Sequence, residues 1–297
     1  MSNKSYLSTI TDPHSIITPI SSGATFPEFL EEKLSKYKPY IEEFGKIVEA
    51  SNSSSQVLER IRDASVRMDK DKRMSFLKIF RRCVSPVCDT EATKKITKIP
   101  NSIFVENYGH TFKPIKKLKK QFEEISIGQL SALSVLLGEY DNRGEQGYVL
   151  TDLFFTWFEE TFENFSIVGP RGAGKDIQLS SVFQEFTGEC PCDFVIKEIK
   201  TSRVLAIGFA RYDSTRGGAQ SDDRTGGNAD KVSKAKQLCK QTGHSFKVIF
   251  LADGPGFSHR DTWEEACRLD GSMNGQVRLT TLKTAPQRIT QDWLLSD

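Results

Sequence analysis

The chain has 297 residues, of which 37% are hydrophobic and 27% charged, with a formal net charge of +2. That is ample for a core and one or two domains, and too small a charge imbalance to announce a polyanion partner. No apolar run approaches the ~18 residues of a membrane span, and the opening MSNKSYLSTITDPHS lacks the charged-then-apolar order of a secretory leader, so a cytoplasmic protein is expected. The six cysteines are irregularly spaced and read as reduced thiols; neither Cys83/Cys88 nor Cys190/Cys192 has the usual spacing of a zinc ligand pair. Charge is unevenly placed: residues 1–125 carry 22 Lys+Arg against 16 Asp+Glu, and residues 126–297 carry 19 against 23.

Residues 1–25 are rich in Ser, Thr and Pro and read as a loosely packed lead-in. From Phe26 to Ala50, Phe29, Leu30, Leu34, Tyr37, Ile41, Phe44 and Val48 recur at helical spacing. After the polar break Ser51–Ser55, helical periodicity resumes from Gln56 to Cys83, with Arg67, Lys70, Lys72, Arg73, Lys78, Arg81 and Arg82 along it. A second basic cluster, Lys113–Lys120, precedes a helix expected over Ile127–Gly138. Both clusters fit a solvated helix face, with phosphate contact as the sharper alternative. The turn DNRGEQG (Asp141–Gly147) leads into Tyr148–Phe162, an aromatic helix suited to burial.

Beyond Phe165 the texture shifts to short apolar runs broken by Gly, Pro and Asp: Phe165–Val168, Asp193–Lys197, Arg203–Asp213 and Phe246–Ala252. These read as strands, and Asp230–Lys240 between the last two reads as a helix, giving a strand–helix–strand crossover. The expected fold is α/β (α+β), with a mostly helical region over 1–160 and an α/β part over 161–297. Trp263 in DTWEEACRL reads as a helix-core residue, and His244 and His259 as edge or loop residues.

Two segments carry chemistry. GPRGAGKD, Gly169–Asp176, fits G-x-x-x-x-G-K after a strand, and Val248–Asp253 resembles the acid-ended strand that accompanies such loops. A phosphate cradle needs Ser or Thr after its lysine to reach Mg²⁺, however, and here Asp176 stands there. The alternative is a Gly-rich turn that carries Lys175 and Asp176 to a site. The other segment is Ile207–Asn228, where an apolar strand feeds into a loop crowded with Arg, Asp, Gln and Gly. Its acids and arginines, with Asp193 upstream, suit a metal and the phosphates on which it acts.

The strand start PCDFVI, the Gly-rich loop DSTRGGAQSDDRTGGN before a helix, and FLADGPGF (Phe250–Phe257) after it occur in that order over about residues 165–270. In this the chain resembles the type II restriction endonucleases with the P-D…(D/E)-x-K core. The resemblance implies a Mg²⁺-dependent, sequence-specific endonuclease of double-stranded DNA on a mixed sheet core flanked by helices. It further implies a homodimer on a two-fold site, working beside a cognate DNA methyltransferase, with the helical region supplying DNA grip or dimer contacts.

One departure from the pattern is plain. Counting from Asp193 puts Gly208 and Ala210 where the acid and lysine of the second strand belong, leaving the small phase Ala206, Gly208, Ala210 to face the site. Replacements must come from elsewhere. Asp213 is the first choice as second metal ligand beside Asp193, with Asp176 and Asp222 next. Lys175 is preferred for the ammonium role over Lys197, which lies roughly 13 Å from Asp193 along an extended strand. Arg211, Arg216 and Arg224 are expected on phosphates or guanine edges, and Gln220 and Asn228 on adenine. Two other readings stay open: a P-loop nucleotide hydrolase using Gly169–Lys175, and a DNA-binding protein that keeps the nuclease frame without its chemistry.

Overall fold

Tyr37, Ile41, Phe44 and Val48 fall on one stripe of a helix, and all four are buried on α1 (Glu28–Glu49). The structure, a computed structural model, describes residues 5–21, 23–139, 141, 144–186, 188–214 and 220–296, with no side-chain description at 220–226 and 242. The chain divides into two compact units, Gly23–Asn142 and Met1–Ser22 together with Arg143–Asp297. The lead-in and the aromatic helix therefore join the sheet, and the division differs from the expected 1–160 and 161–297.

The helical unit continues with α2 (Ser54–Ile61), α3 (Lys70–Cys83), α4 (Thr90–Thr93), α5 (Asn101–Tyr108), α6 (Ile115–Glu123) and α7 (Ile127–Gly138). The stretch expected as one helix from Gln56 to Cys83 is two. Asp63 accepts the Ser65 N–H at 2.8 Å, and Asp69 caps α3 through the Asp71 and Lys72 N–H groups, so capping chemistry overrides the apolar period. Asp141 closes the unit: its carboxylate accepts from Tyr37 Oη at 2.7 Å, Lys78 Nζ at 2.6 Å and Lys36 Nζ at 2.8 Å.

The other unit holds α8 (Glu145–Thr161), β1 (Phe165–Val168), β2 (Ile177–Gln178), α9 (Leu179–Val182), β3 (Pro191–Cys192), β4 (Phe194–Glu198) and β5 (Val204–Tyr212). It continues with α10 (Gln220–Thr242), β6 (Lys247–Asp253), α11 (Arg260–Leu269), α12 (Ser272–Gly275), β7 (Val277–Thr280), α13 (Ala285–Arg288) and α14 (Gln291–Leu295). Five strands form a mixed sheet in the order β1-β4-β5-β6-β7, antiparallel up to β5 and parallel from β5 to β7. The expected crossover β5–α10–β6 is present. β2 and β3 form a second, two-stranded sheet.

The main sheet is buried on both faces, which is why β6 reads as a continuous apolar run. On one face Val195, Ile207, Phe209, Val248 and Phe250 pack with Val232, Ala235 and Leu238 of α10. On the other, Phe194, Ile196, Ala206, Ile249 and Leu251 pack with Phe154, Phe155 and Phe158 of α8. The lead-in is part of this packing. Leu7, Ile16 and Ile17 are buried in the α10-side core, Ser5 Oγ donates to Asp270 at 3.0 Å, and Thr18 N–H donates to Asp253 at 2.8 Å. Its polar composition hid three apolar anchors and two buried carboxylates waiting for backbone donors. Among the described residues, no helix is long and apolar enough to cross a membrane.

Candidate functional site

β5 runs parallel to β6 and β7 and antiparallel to β4, so the start of β4 lies at the carboxyl end of β5. Asp193 stands there, half-buried, immediately before Phe194. Its N–H donates to Gly208 O at 2.9 Å, and its Oδ2 accepts the Ala210 N–H at 2.8 Å. The side chain thus takes a ladder bond that fixes it against β5.

Asp176 reaches the same place through the small sheet. β2 pairs antiparallel with β3, Ile177 opposite Cys192 and Gln178 opposite Pro191. Asp176 and Asp193 each follow directly on that ladder's last pair, Asp193 at the bend between β3 and β4. Like charges in such positions repel. The Asp193 carboxyl is pushed above the usual carboxylate range, first by burial and then by the Asp176 charge, against the lowering effects of the Ala210 N–H and Lys231.

Lys231 was not anticipated from the sequence. It projects from α10 with its ammonium 4.2 Å from the Phe209 ring centroid. Burial lowers its pKa, opposed by the charges of Asp193, Cys190 and Asp176 and reinforced by Arg211. Lys231, Ala235 and Leu238 follow the i, i+4, i+7 spacing of the stripe that α10 buries. A lysine in register with a buried stripe was the available signal.

The small phase of β5 does not face this cluster. A Cβ on Gly208 would come within 1.9 Å of the Phe194 ring, and Ala210 packs into the α8-side core. Phe209 and Arg211, the alternate positions, lie on the Lys231 side. The expected phase is therefore reversed: the acid and lysine positions facing the site hold Phe209 and Arg211, because Phe194 needs the glycine beneath its ring.

Asp213, just past the end of β5, pairs with Arg211. Its Oδ1 accepts from Arg211 Nε at 2.7 Å and from Arg211 Nη2 at 2.7 Å. Its backbone is clamped, N–H to Asp253 O at 2.8 Å and O from Gly256 N–H at 2.7 Å. Gly254, at φ 97°, permits this approach, since a Cβ there would lie 2.5 Å from Asp213 O. Asp213 thus orients an arginine. Asp253, the acid ending VIFLAD, is fully buried and accepts from Thr18, Gly254 and Leu282 N–H groups, a structural tie.

Lys175 is exposed and Lys197 half-buried on β4; the charges acting on Asp193 are those of Asp176 and Lys231. The lysine whose charge acts on Asp193 is Lys231 of α10. Asn228 is half-buried on α10. Arg216 lies outside the described residues, and so do the side chains of Gln220, Asp222, Asp223 and Arg224. His244 faces Glu185 at 3.6 Å, and His259 stands at the start of α11.

The residue after Asp176 opens strand β2, so the Gly-rich loop lacks the following helix whose N-terminus would hold nucleotide phosphates. Arg171 ties that loop to α8 instead, pairing with Asp152 at 2.7 Å and with Glu159, over the Phe155 ring.

Oxygen is the donor this place offers a cation. The neighbouring thiols are unsuited, burial pushing Cys192 up to about 12 and Cys190 upward as well. Among the described residues no three His, Cys, Asp or Glu side chains gather as a ligand set. Two carboxylates nevertheless match Mg²⁺, which typically takes one or two from protein and completes its shell with water and phosphate oxygens. No protein-family model and no curated protein matches the chain.

Proposed function

We propose that the chain is a Mg²⁺-dependent endonuclease that hydrolyses double-stranded DNA at specific sequences, in the manner of the type II restriction enzymes its residues 165–270 resemble. One observation carries the reading: near the carboxyl end of β5 the charges of Asp176 and Lys231 both act on the half-buried Asp193, and the β2–β3 ladder ends one residue short of each acid. Two repelling carboxylates held by backbone geometry are stabilised when a divalent cation joins them.

In this reading Asp193 and Asp176 would hold Mg²⁺, and the bound ion would supply water activation and charge neutralisation at the scissile phosphate. Lys231 presents its ammonium to the same phosphate, placed by the α10 packing stripe rather than by a strand. Arg211, steadied by Asp213, binds a neighbouring phosphate. The implied assembly is a homodimer on a two-fold DNA site, in a cytoplasm that also holds a protective methyltransferase.

The test is plasmid incubation with Mg²⁺ and with EDTA, for the wild type, Asp193→Asn and Lys231→Met. Discrete fragments that vanish on chelation and in both variants are expected. Uncut but tightly held plasmid would replace this reading with a DNA-binding protein lacking chemistry. Normal cutting by Asp193→Asn would retire the site.

A further inference from the structure

The helical unit carries 21 Lys+Arg against 17 Asp+Glu, whereas the sheet-bearing unit carries 20 against 22. Part of the helical unit's positive charge is matched locally. Lys38 meets Glu42, Lys72 meets Glu43, Lys36 and Lys78 meet Asp141, and Arg82 meets Glu139. Helix α6, IKKLKKQFE, is different. Its apolar stripe is seated in the core, with Leu118 fully buried and Ile115 and Phe122 packed beside it. That orientation turns Lys116, Lys117 and Lys120 outward, one helical turn apart or less, with half-buried Lys113 and Lys119 flanking them. The nearest compensation is Glu124, 3.9 Å from Lys120 on an exposed surface, where such a pair contributes little. Among the described residues, Lys116 and Lys117 form no ion pair.

We propose that this α6 face docks the phosphate backbone of duplex DNA, as a sequence-independent contact additional to the Asp176–Asp193 site. Lysines are compact point charges suited to phosphates without base readout. A membrane fits less well, because an amphipathic helix binds lipid through its apolar face and here that face is spent on the core. The inference deepens the nuclease reading, from which it takes duplex DNA as the polyanion.

The test measures binding of a fluorescent duplex of mixed sequence to the full chain in EDTA, as a function of salt. Lys116→Gln, Lys117→Gln and Lys120→Gln combined should weaken binding and flatten the slope of log K against log salt by about 2.7, at 0.9 per phosphate contact. A charge-matched control, Lys38→Gln with Lys72→Gln and Lys94→Gln, should keep a slope near that of the wild type. The proposal is overturned if the folded triple variant, checked by its melting curve, retains the wild-type slope, or if the wild type does not bind duplex. Tighter, lysine-dependent binding to phosphatidylserine vesicles would also overturn it. A chain that binds duplex through α6 yet never cuts with Mg²⁺ retires the nuclease reading and leaves this one standing.

Discussion

Asp176 and Asp193 each lie one residue beyond the Ile177–Cys192 pair that ends the β2–β3 sheet, and the Asp176 charge raises the Asp193 carboxyl. A cation that bridges them stabilises the folded chain by mass action, by about 2.7 kcal/mol at a hundredfold excess over Kd. Mg²⁺ or Ca²⁺ titration should therefore raise the melting temperature of the wild type, and Asp176→Asn or Asp193→Asn should remove most of that rise. An unmoved wild-type melt would separate the acid pair from metal binding.

Without metal, the same pair weakens the fold. The Asp193 carboxyl is raised by burial and by Asp176, so its favourable contribution is present below the ordinary carboxylate pKa and is lost as pH climbs through the raised value. Asp193→Asn in EDTA at neutral pH should shift the urea midpoint upward even as it abolishes cleavage. A lower midpoint would show that the Ala210 N–H bond outweighs the burial cost.

Gly208 lies directly beneath Phe194, where a Cβ would be 1.9 Å from the ring. Gly208→Ala should destabilise by roughly 1–3 kcal/mol through overpacking. Adding Phe194→Leu should recover part of the loss. Equal stability of wild type and Gly208→Ala in urea would contradict the packing described.

Asp213 and Asp176 should separate cleanly in function. Because Asp213 holds Arg211 at 2.7 Å, Asp213→Ala should leave the cation-induced melting shift intact. Duplex binding should weaken roughly three- to tenfold, about 0.6–1.4 kcal/mol, from the loosened guanidinium. Loss of the melting shift in Asp213→Ala would restore Asp213 as a ligand.

Glu265 on α11 is buried, and burial lifts its carboxyl to about 7 despite the nearby Arg268 charge. A raised folded pKa gives stability that is full below the unfolded carboxylate value and falls as pH rises through about 7. Urea unfolding from about pH 5 to about pH 8.5 should show a decline of roughly 1–3 kcal/mol that Glu265→Gln largely removes. A variant with the same decline would assign it to other groups.

The α1 stripe from Tyr37 to Val48, the apolar runs that became β1, β4, β5 and β6, and the β5–α10–β6 crossover were all legible in the sequence, because each is a local period. Strand β7, Val277–Thr280, was not legible, its short run being broken by Arg278. The candidate site was half legible. PCDFVI pointed to Asp193 and the Gly-rich loop to Asp176, whereas nothing local in the sequence marked Lys231 as a charge acting on them.

Composition and periodicity alone determined the mixed α/β class, helices α1, α7 and α8, and the strand that follows Asp193. Tertiary structure alone decided which charges act on it, those of Asp176 and Lys231, and which side of β5 Phe209 and Arg211 occupy. Those choices rest on the β2–β3 register, on the rotation of α10 about its buried stripe, and on the ring of Phe194 occupying the space above Gly208. Each is a contact between segments distant in the chain, and local sequence patterns carry no information about which distant segment will fill a given space.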